Sequence, residues 1–327
     1  MSYVISAIKH SNIIYMKAKR VFYSIIIAAF IFTFSSCSKN NSSSSSGTDN
    51  TAEAEAQAND QLAFTNATDE VNDDVNAVIN IKGGSYNSRT EGNPLFTLPC
   101  DLTNSNIVVD TTVNPCTITI TYNGSTCNLT HTRTGTVVIS FPSNFRWGAE
   151  GNVLSISFNN LKVTNSLTGK SITLNGTRTI TNVTGGLLSN LATLPASDSI
   201  VNTVSDANMS ITFDNSAQRT WQTTIRRVFT YNSESGVVVT TTGSSQGINR
   251  YGHNFTTTIT QPLVYAQTCL AGYIGGQIKT VGSAVTTIVT VGLTSALTPV
   301  SSCQAVMYYQ ITWIGANGKT FSFSGEY

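Results

Sequence analysis

Charge is scarce in this chain. Asp, Glu, Lys and Arg supply 11% of its 327 residues, and 18 basic against 17 acidic side chains leave a net charge of +1. A balance so close to zero argues against a nucleic-acid partner, because phosphate binding needs a concentrated basic face. Histidine is scarcer still, at three residues, which leaves few candidates for a general base. No Cys-x-x-Cys pair of the kind that holds zinc is present. No Gly-x-Ser-x-Gly elbow stands between a strand and a helix, and no Gly-x-x-x-x-Gly-Lys-Ser or -Thr phosphate loop occurs. The uncharged apolar run at residues 21–34 is shorter than the roughly 20 residues that span a bilayer as a helix.

That short run does have a context. Lys17, Lys19 and Arg20 precede it, and Ser35-Ser36-Cys37 ends it. A basic segment, a short apolar core and small residues at its end describe a secretory signal. Met16 stands just ahead of the basic cluster, so residues 1–15 read as preceding the true start. Ser35-Ser36-Cys37-Ser38-Lys39 resembles the lipobox of bacterial lipoproteins, in the form common among Bacteroidetes. The resemblance implies cleavage after residue 36, a diacylglycerol thioether on Cys37 and a further palmitate-type acyl chain on its amine. Two or three chains exceed the single chain that binds membranes only marginally. The membrane is then a partner through Cys37. Ser38 points to the outer membrane, and the absence of acidic residues in Lys39-Asn40-Asn41 favours its periplasmic face over the cell surface.

Removing residues 1–36 leaves 291 residues, enough for one large β domain or two smaller ones. It also removes four basic residues and no acids, so 14 Lys+Arg face 17 Asp+Glu and the net charge is near −3. Residues 37–60, with their serine run, read as a flexible tether. Residues 61–82 carry Leu62, Val71, Val75, Val78 and Ile79 at helical spacing, which predicts a short helix with Asp69, Glu70, Asp73 and Asp74 on its wet side.

Beyond Gly83 the pattern changes to period two. Thr117-Ile118-Thr119-Ile120-Thr121-Tyr122 alternates throughout, and similar runs follow at residues 136–141, 153–158, 171–174, 177–182 and 209–213. More lie at 220–231, 236–242, 254–260, 276–281, 286–291, 307–313 and 319–323. Such alternation marks strands with one buried and one wet face, so the fold class is all-β and antiparallel, a sandwich or an extended twisted meander. Asn123-Gly124, Asn175-Gly176 and Asn317-Gly318 read as turns. Pro195 and several small polar residues interrupt the rhythm. This predicts a first β half over 83–190, a connecting segment over 191–208 and a second half over 209–327.

With Cys37 lipidated, Cys100, Cys116, Cys127, Cys269 and Cys303 remain, and an oxidising compartment makes disulfides the default. Locality favours Cys100 with Cys127 and Cys269 with Cys303, leaving Cys116 at the head of a strand. Sequence alone cannot fix the connectivity.

Candidate chemistry is sparse. His131 and His253 read as solvated loop residues. No two acids of the β body are marked as a glycosidase pair. Trp147, in Arg146-Trp147-Gly148, is the best candidate for an aromatic glycan contact, with Trp221, Trp313, Tyr251, Tyr273, Tyr308 and Tyr309 as further members of a platform. Packing is the commoner role of such aromatics in β proteins. Thr111 in Asp110-Thr111-Thr112 and Ser199 in Asp198-Ser199-Ile200 match the Bacteroidetes O-glycosylation motif. No cofactor or metal site, and no catalytic residue, is predicted.

Taken together, residues 117–122, Cys127 and Arg133-Thr134-Gly135-Thr136-Val137-Val138-Ile139 resemble a block in uncharacterised Bacteroidetes cell-envelope lipoproteins. Ile156-Ser157-Phe158-Asn159-Asn160, residues 175–182, Asn249-Arg250-Tyr251-Gly252-His253, Cys269, Gly275-Gly276 and Cys303 continue it. The resemblance implies an envelope location and a β-rich fold, and supplies no activity. The expectation is a lipid-anchored, non-enzymatic β domain that binds or scaffolds a glycan or an envelope protein. The alternatives are an enzyme acting on envelope polysaccharide, or an adhesin.

Overall fold

The computed structural model describes residues 48–81, 102–126, 129–195, 198–269, 273–283, 285–315 and 318–327. One helix, α1 (Thr48–Ile81), precedes thirteen strands. These are β1 (Asn106–Asp110), β2 (Cys116–Ser125), β3 (His131–Phe141), β4 (Asn152–Asn165), β5 (Ser171–Asn182), β6 (Ile200–Phe213) and β7 (Gln218–Asn232). Then come β8 (Gly236–Ile248), β9 (Asn254–Ala266), β10 (Tyr273–Gly282), β11 (Val285–Leu293), β12 (Tyr308–Gly315) and β13 (Thr320–Glu326). All pair antiparallel in a single sheet whose spatial order is the order of the sequence, with β1 and β13 as its edges. The all-β antiparallel expectation is borne out, in its meander form.

The helix packs on one face of this sheet. Phe64, Ala67, Val71, Val75, Val78 and Ile79 form its apolar stripe, at the three- and four-residue spacing that keeps side chains on one side. Opposite them lie Ile118, Ile120, Val137, Ile139, Ile156 and Phe158, all at 1% exposure or less. Leu174, Met209, Ile211, Trp221 and Phe255 extend the same core across β5 to β9. Strand alternation produces this arrangement, because residues i and i+2 point to the same face.

Curvature comes from breaks in the ladder. The register shifts once in β3–β4, β4–β5, β5–β6, β6–β7 and β8–β9. Such irregularities bend a strand and increase its twist. Gly135 (φ +104°) and Gly243 (φ +137°) sit at two of them, and a Cβ on either would lie 2.2 Å from the carbonyl oxygen of Asn160 or Thr224. Only glycine tolerates both the dihedral and the approach.

Several expectations need correction. α1 begins at Thr48, so residues 48–60 are helix and not tether. Ala, Glu and Gln dominate that stretch and are good helix formers, while its partners lie far away in sequence. The helix is 34 residues long, about 50 Å at 1.5 Å per residue, and starts thirteen residues before the expected position 61. Residues 191–208 do not connect two halves. From Ile200 onward they are β6, paired with β5 on one side and β7 on the other, and Leu188–Thr193 form a 3-10 turn before it. Asn123-Gly124 lies within β2, and Asn175-Gly176 forms an irregularity inside β5, not a turn.

Candidate functional site

The helix is fastened along its length by polar side chains as well as by its apolar stripe. At its C-terminal half, Arg133 Nη1 donates to Asp74 Oδ2 at 2.7 Å, and the Tyr122 hydroxyl donates to the same oxygen at 2.8 Å. Glu70 Oε2 meets His131 Nε2 at 2.8 Å and lies 3.9 Å from Arg133. The Arg133 guanidinium stands 4.4 Å from the centre of the Tyr122 ring. At the N-terminal half, Arg219 donates to the Gln57 carbonyl at 3.1 Å and to Gln61 Oε1 at 2.7 Å. Arg250 Nε donates to Asp60 Oδ2 at 2.9 Å. Asn249 Nδ2 donates to Glu53 Oε1 at 2.6 Å, and His253 Nδ1 lies 2.9 Å from that oxygen. Within the sheet, Arg178 grips Asp206 with two bonds of 2.6 and 2.9 Å.

Burial sets the electrostatics of this seam. Loss of water raises the Asp74 carboxyl above its ordinary value, against the pull of Arg133 and Tyr122. The same effect raises Asp60 despite its bond to Arg250, and holds the Tyr122 phenol well above its usual range. Burial lowers Arg219 to about 10, because its bonds go to neutral oxygens and not to a carboxylate.

The wet-face expectation for the helix acids is therefore corrected at Asp74, which is 5% exposed. His131 is also corrected. It opens β3 with a side chain only 13% exposed and is tied to the helix, whereas His253 stays in a loop at 48%. Both histidines reach helix carboxylates, which no local sequence pattern shows. The missed residues did carry a signal. Arg178 lies two residues from Ile180 in a strand whose inward positions Ile172, Leu174 and Ile180 are apolar, and Arg133 and Arg219 are buried likewise. Glu53, Gln57, Asp60 and Gln61 sit at three- and four-residue spacing on one helical face.

Trp147 is not an exposed platform. It is 8% exposed, stacks on Phe145 at 6.1 Å and belongs to the main core. Trp221 is likewise buried, against Phe64 at 4.0 Å. Trp313 is half-buried and stacks on Phe321 at 5.7 Å, and Tyr251 is half exposed in the β8–β9 loop. Cys269 and Cys303 form a disulfide, as expected. Cys116 is a buried free thiol at the first position of β2. Cys37, Cys100 and Cys127 lie outside the described residues. Thr111 is exposed just after β1, and Ser199 is half-buried just before β6.

No family model, curated protein or solved structure matches this chain. Among the described residues, no group of three or more His, Cys, Asp and Glu side chains could hold a metal ion. No described helix is long and apolar enough to cross a membrane.

Over β6 to β9 the outer face of the sheet, away from the helix, carries mainly uncharged polar residues, with Arg226 on β7 and Lys279 on β10 as exposed charges beside them. It carries a depression of about 720 Å³ over β6 to β9 and an adjoining one of about 500 Å³ at the β8–β9 loop and the end of β10. The two share Asn254, Phe255 and Thr256. Chemically the two faces differ. The inner one spends its charges on holding the helix, and the outer one offers neutral hydrogen-bonding groups where the two depressions lie.

Proposed function

We propose that this chain is a lipid-anchored cell-envelope protein whose β body binds or scaffolds and does not catalyse, in the manner of the Bacteroidetes lipoproteins that it resembles. The observation that carries the anchoring is the junction at Cys37, with its basic and apolar leader before it and the abrupt change to serine after it. Ten residues of sequence separate Cys37 from the start of α1, a covalent reach of at most about 40 Å. The body would stand within that distance of the bilayer. The binding role is supported by the way the interior charges are used. Each buried carboxylate among the described residues (Glu53, Asp60, Asp74 and Asp206) is engaged by an arginine, asparagine or histidine.

The test is metabolic labelling of the full chain with an alkyne analogue of palmitate in a Bacteroidetes host. The wild-type protein takes the label and sediments with membranes, while Cys37→Ala does neither. A wild-type chain that takes no label overturns the anchoring. Protease added to intact cells then reports the side of the membrane, and a protected body is the expected result.

A further inference from the structure

The geometry points to the outer groove over β6 to β9 as a binding site for a neutral oligosaccharide. The inference deepens the binding role proposed above and rests on it. The floor of the groove is set by register. Gln222 pairs with Gln246, Gln246 with Thr256, and Thr256 with Val281, so one row crosses four strands. Beside it, Ser210, Thr220, Ile248 and Asn254 form a second row. Adjacent strands are about 4.8 Å apart. Amide and hydroxyl groups therefore recur at an interval close to the length of one pyranose ring.

Charge and bonding narrow the ligand. None of the residues lining either depression is Asp, Glu, Lys or Arg, and His253 is their single titratable side chain apart from any backbone group. Gln222, Gln246 and Asn254 are exposed, and none of their amides has a hydrogen-bond partner within the protein among the described residues. Each amide offers a donor pair beside an acceptor, which suits adjacent sugar hydroxyls. Ile248 and Val281, 45% and 43% exposed, add apolar surface in the two depressions for the C–H face of a sugar ring. The larger depression falls within the size range of small-molecule sites, about 300 to 1,000 Å³.

Other ligand classes fit less well. Strands β6 to β9 are paired on both sides, so an extended peptide has no free edge to join. An anionic polymer would find no cation in the groove. A lipid would find an amide floor with only scattered apolar side chains.

The full chain, purified in detergent, would be titrated calorimetrically with maltohexaose, cellohexaose, xylohexaose and mannohexaose. Oligogalacturonate and a blocked peptide of Gly, Ser and Asn serve as contrasts. At least one neutral sugar binds, and Gln222→Ala with Gln246→Ala weakens it at least about tenfold, a loss comparable to two hydrogen bonds. Both positions are exposed, so an unchanged urea midpoint certifies the fold of the variant. The proposal is overturned if no neutral sugar binds, if binding survives the double substitution, or if oligogalacturonate or the peptide binds better. Because labelling of Cys37 is read separately, failure here leaves the anchoring intact.

Discussion

Arg133 and Asp74, 59 residues apart, meet at 2.7 Å beneath the helix, and the Tyr122 hydroxyl completes the shell of the same carboxylate oxygen. Removing one member of a buried pair strands the other. Arg133→Ala should therefore cost about 3–5 kcal/mol of unfolding free energy, read from urea denaturation. Replacing both, as Arg133→Met with Asp74→Leu, should cost less than Arg133→Ala alone. A double variant as damaged as the sum of its parts would count against an ion pair of this kind.

Arg219 behaves differently. It is fully buried, its bonds go to neutral oxygens, and it lies 4.4 Å over the Phe255 ring. Since burial depresses it to about 10, its charge is poorly compensated at neutral pH. Arg219→Met keeps much of the volume and removes the charge. It should leave stability within about 1 kcal/mol of the parent, or raise it. A loss as large as that of Arg133→Ala would show that the two bonds to the helix outweigh the cost of desolvation.

The seam also has a pH signature. Burial raises the folded-state carboxyls of Asp60 and Asp74 above the 3.8 of a free aspartate. The folded protein then binds these protons more tightly than the unfolded chain does. Their contribution to stability is full below 3.8 and declines as pH rises through the raised values. Relative to Asp60→Asn or Asp74→Asn, the parent should gain stability between about pH 7 and about pH 4. Urea midpoints across that range decide it, and a parent that loses ground on acidification contradicts the assignment.

The Cys269–Cys303 bridge closes a loop of 34 residues. Opening it by Cys303→Ser should cost about 3–4 kcal/mol by loop entropy. Cys116, at 1% exposure, should resist iodoacetamide in the native protein and react in urea. Finding both Cys269 and Cys303 alkylated in unreduced, denatured protein would remove the bridge.

Trp147→Ala should act on stability, at about 3–5 kcal/mol, because the ring is packed in the core. Any glycan binding measured on folded variant protein should be unchanged. Selective loss of binding at full stability would return Trp147 to the surface role expected from sequence.

Much of the sheet was legible in advance. The thirteen alternating runs fall on twelve strands, β2 to β13, two of them in β5, since one buried and one wet face leave a period of two. β1 was missed because Asn106–Asp110 is short and its Val108 and Val109 both face solvent at the edge. The Asn-Gly pairs misled for a physical reason. The positive φ that suits a turn also suits an irregular ladder position, and Gly176 (φ +127°) is used there. The front of the helix escaped notice because Glu53, Gln57 and Asp60 have no apolar stripe. Their partners Arg219, Asn249, Arg250 and His253 lie 162 to 200 residues downstream. Contacts across that distance leave no local periodicity. The outer groove was hidden similarly, because its rows exist only once register aligns four strands.

Strand order equal to chain order has a consequence for synthesis. A chain emerging N-terminus first can add each new strand to the edge left by the last, with no strand waiting for a distant partner. The helix is the exception. Its C-terminal half can settle as soon as β2 and β3 are made, since Tyr122, His131 and Arg133 hold it. Its first turns must wait until Asn249, Arg250 and His253 arrive at the β8–β9 loop. The turns nearest Cys37 are thus the last part of the helix to be secured, when only β9 to β13 remain to be added.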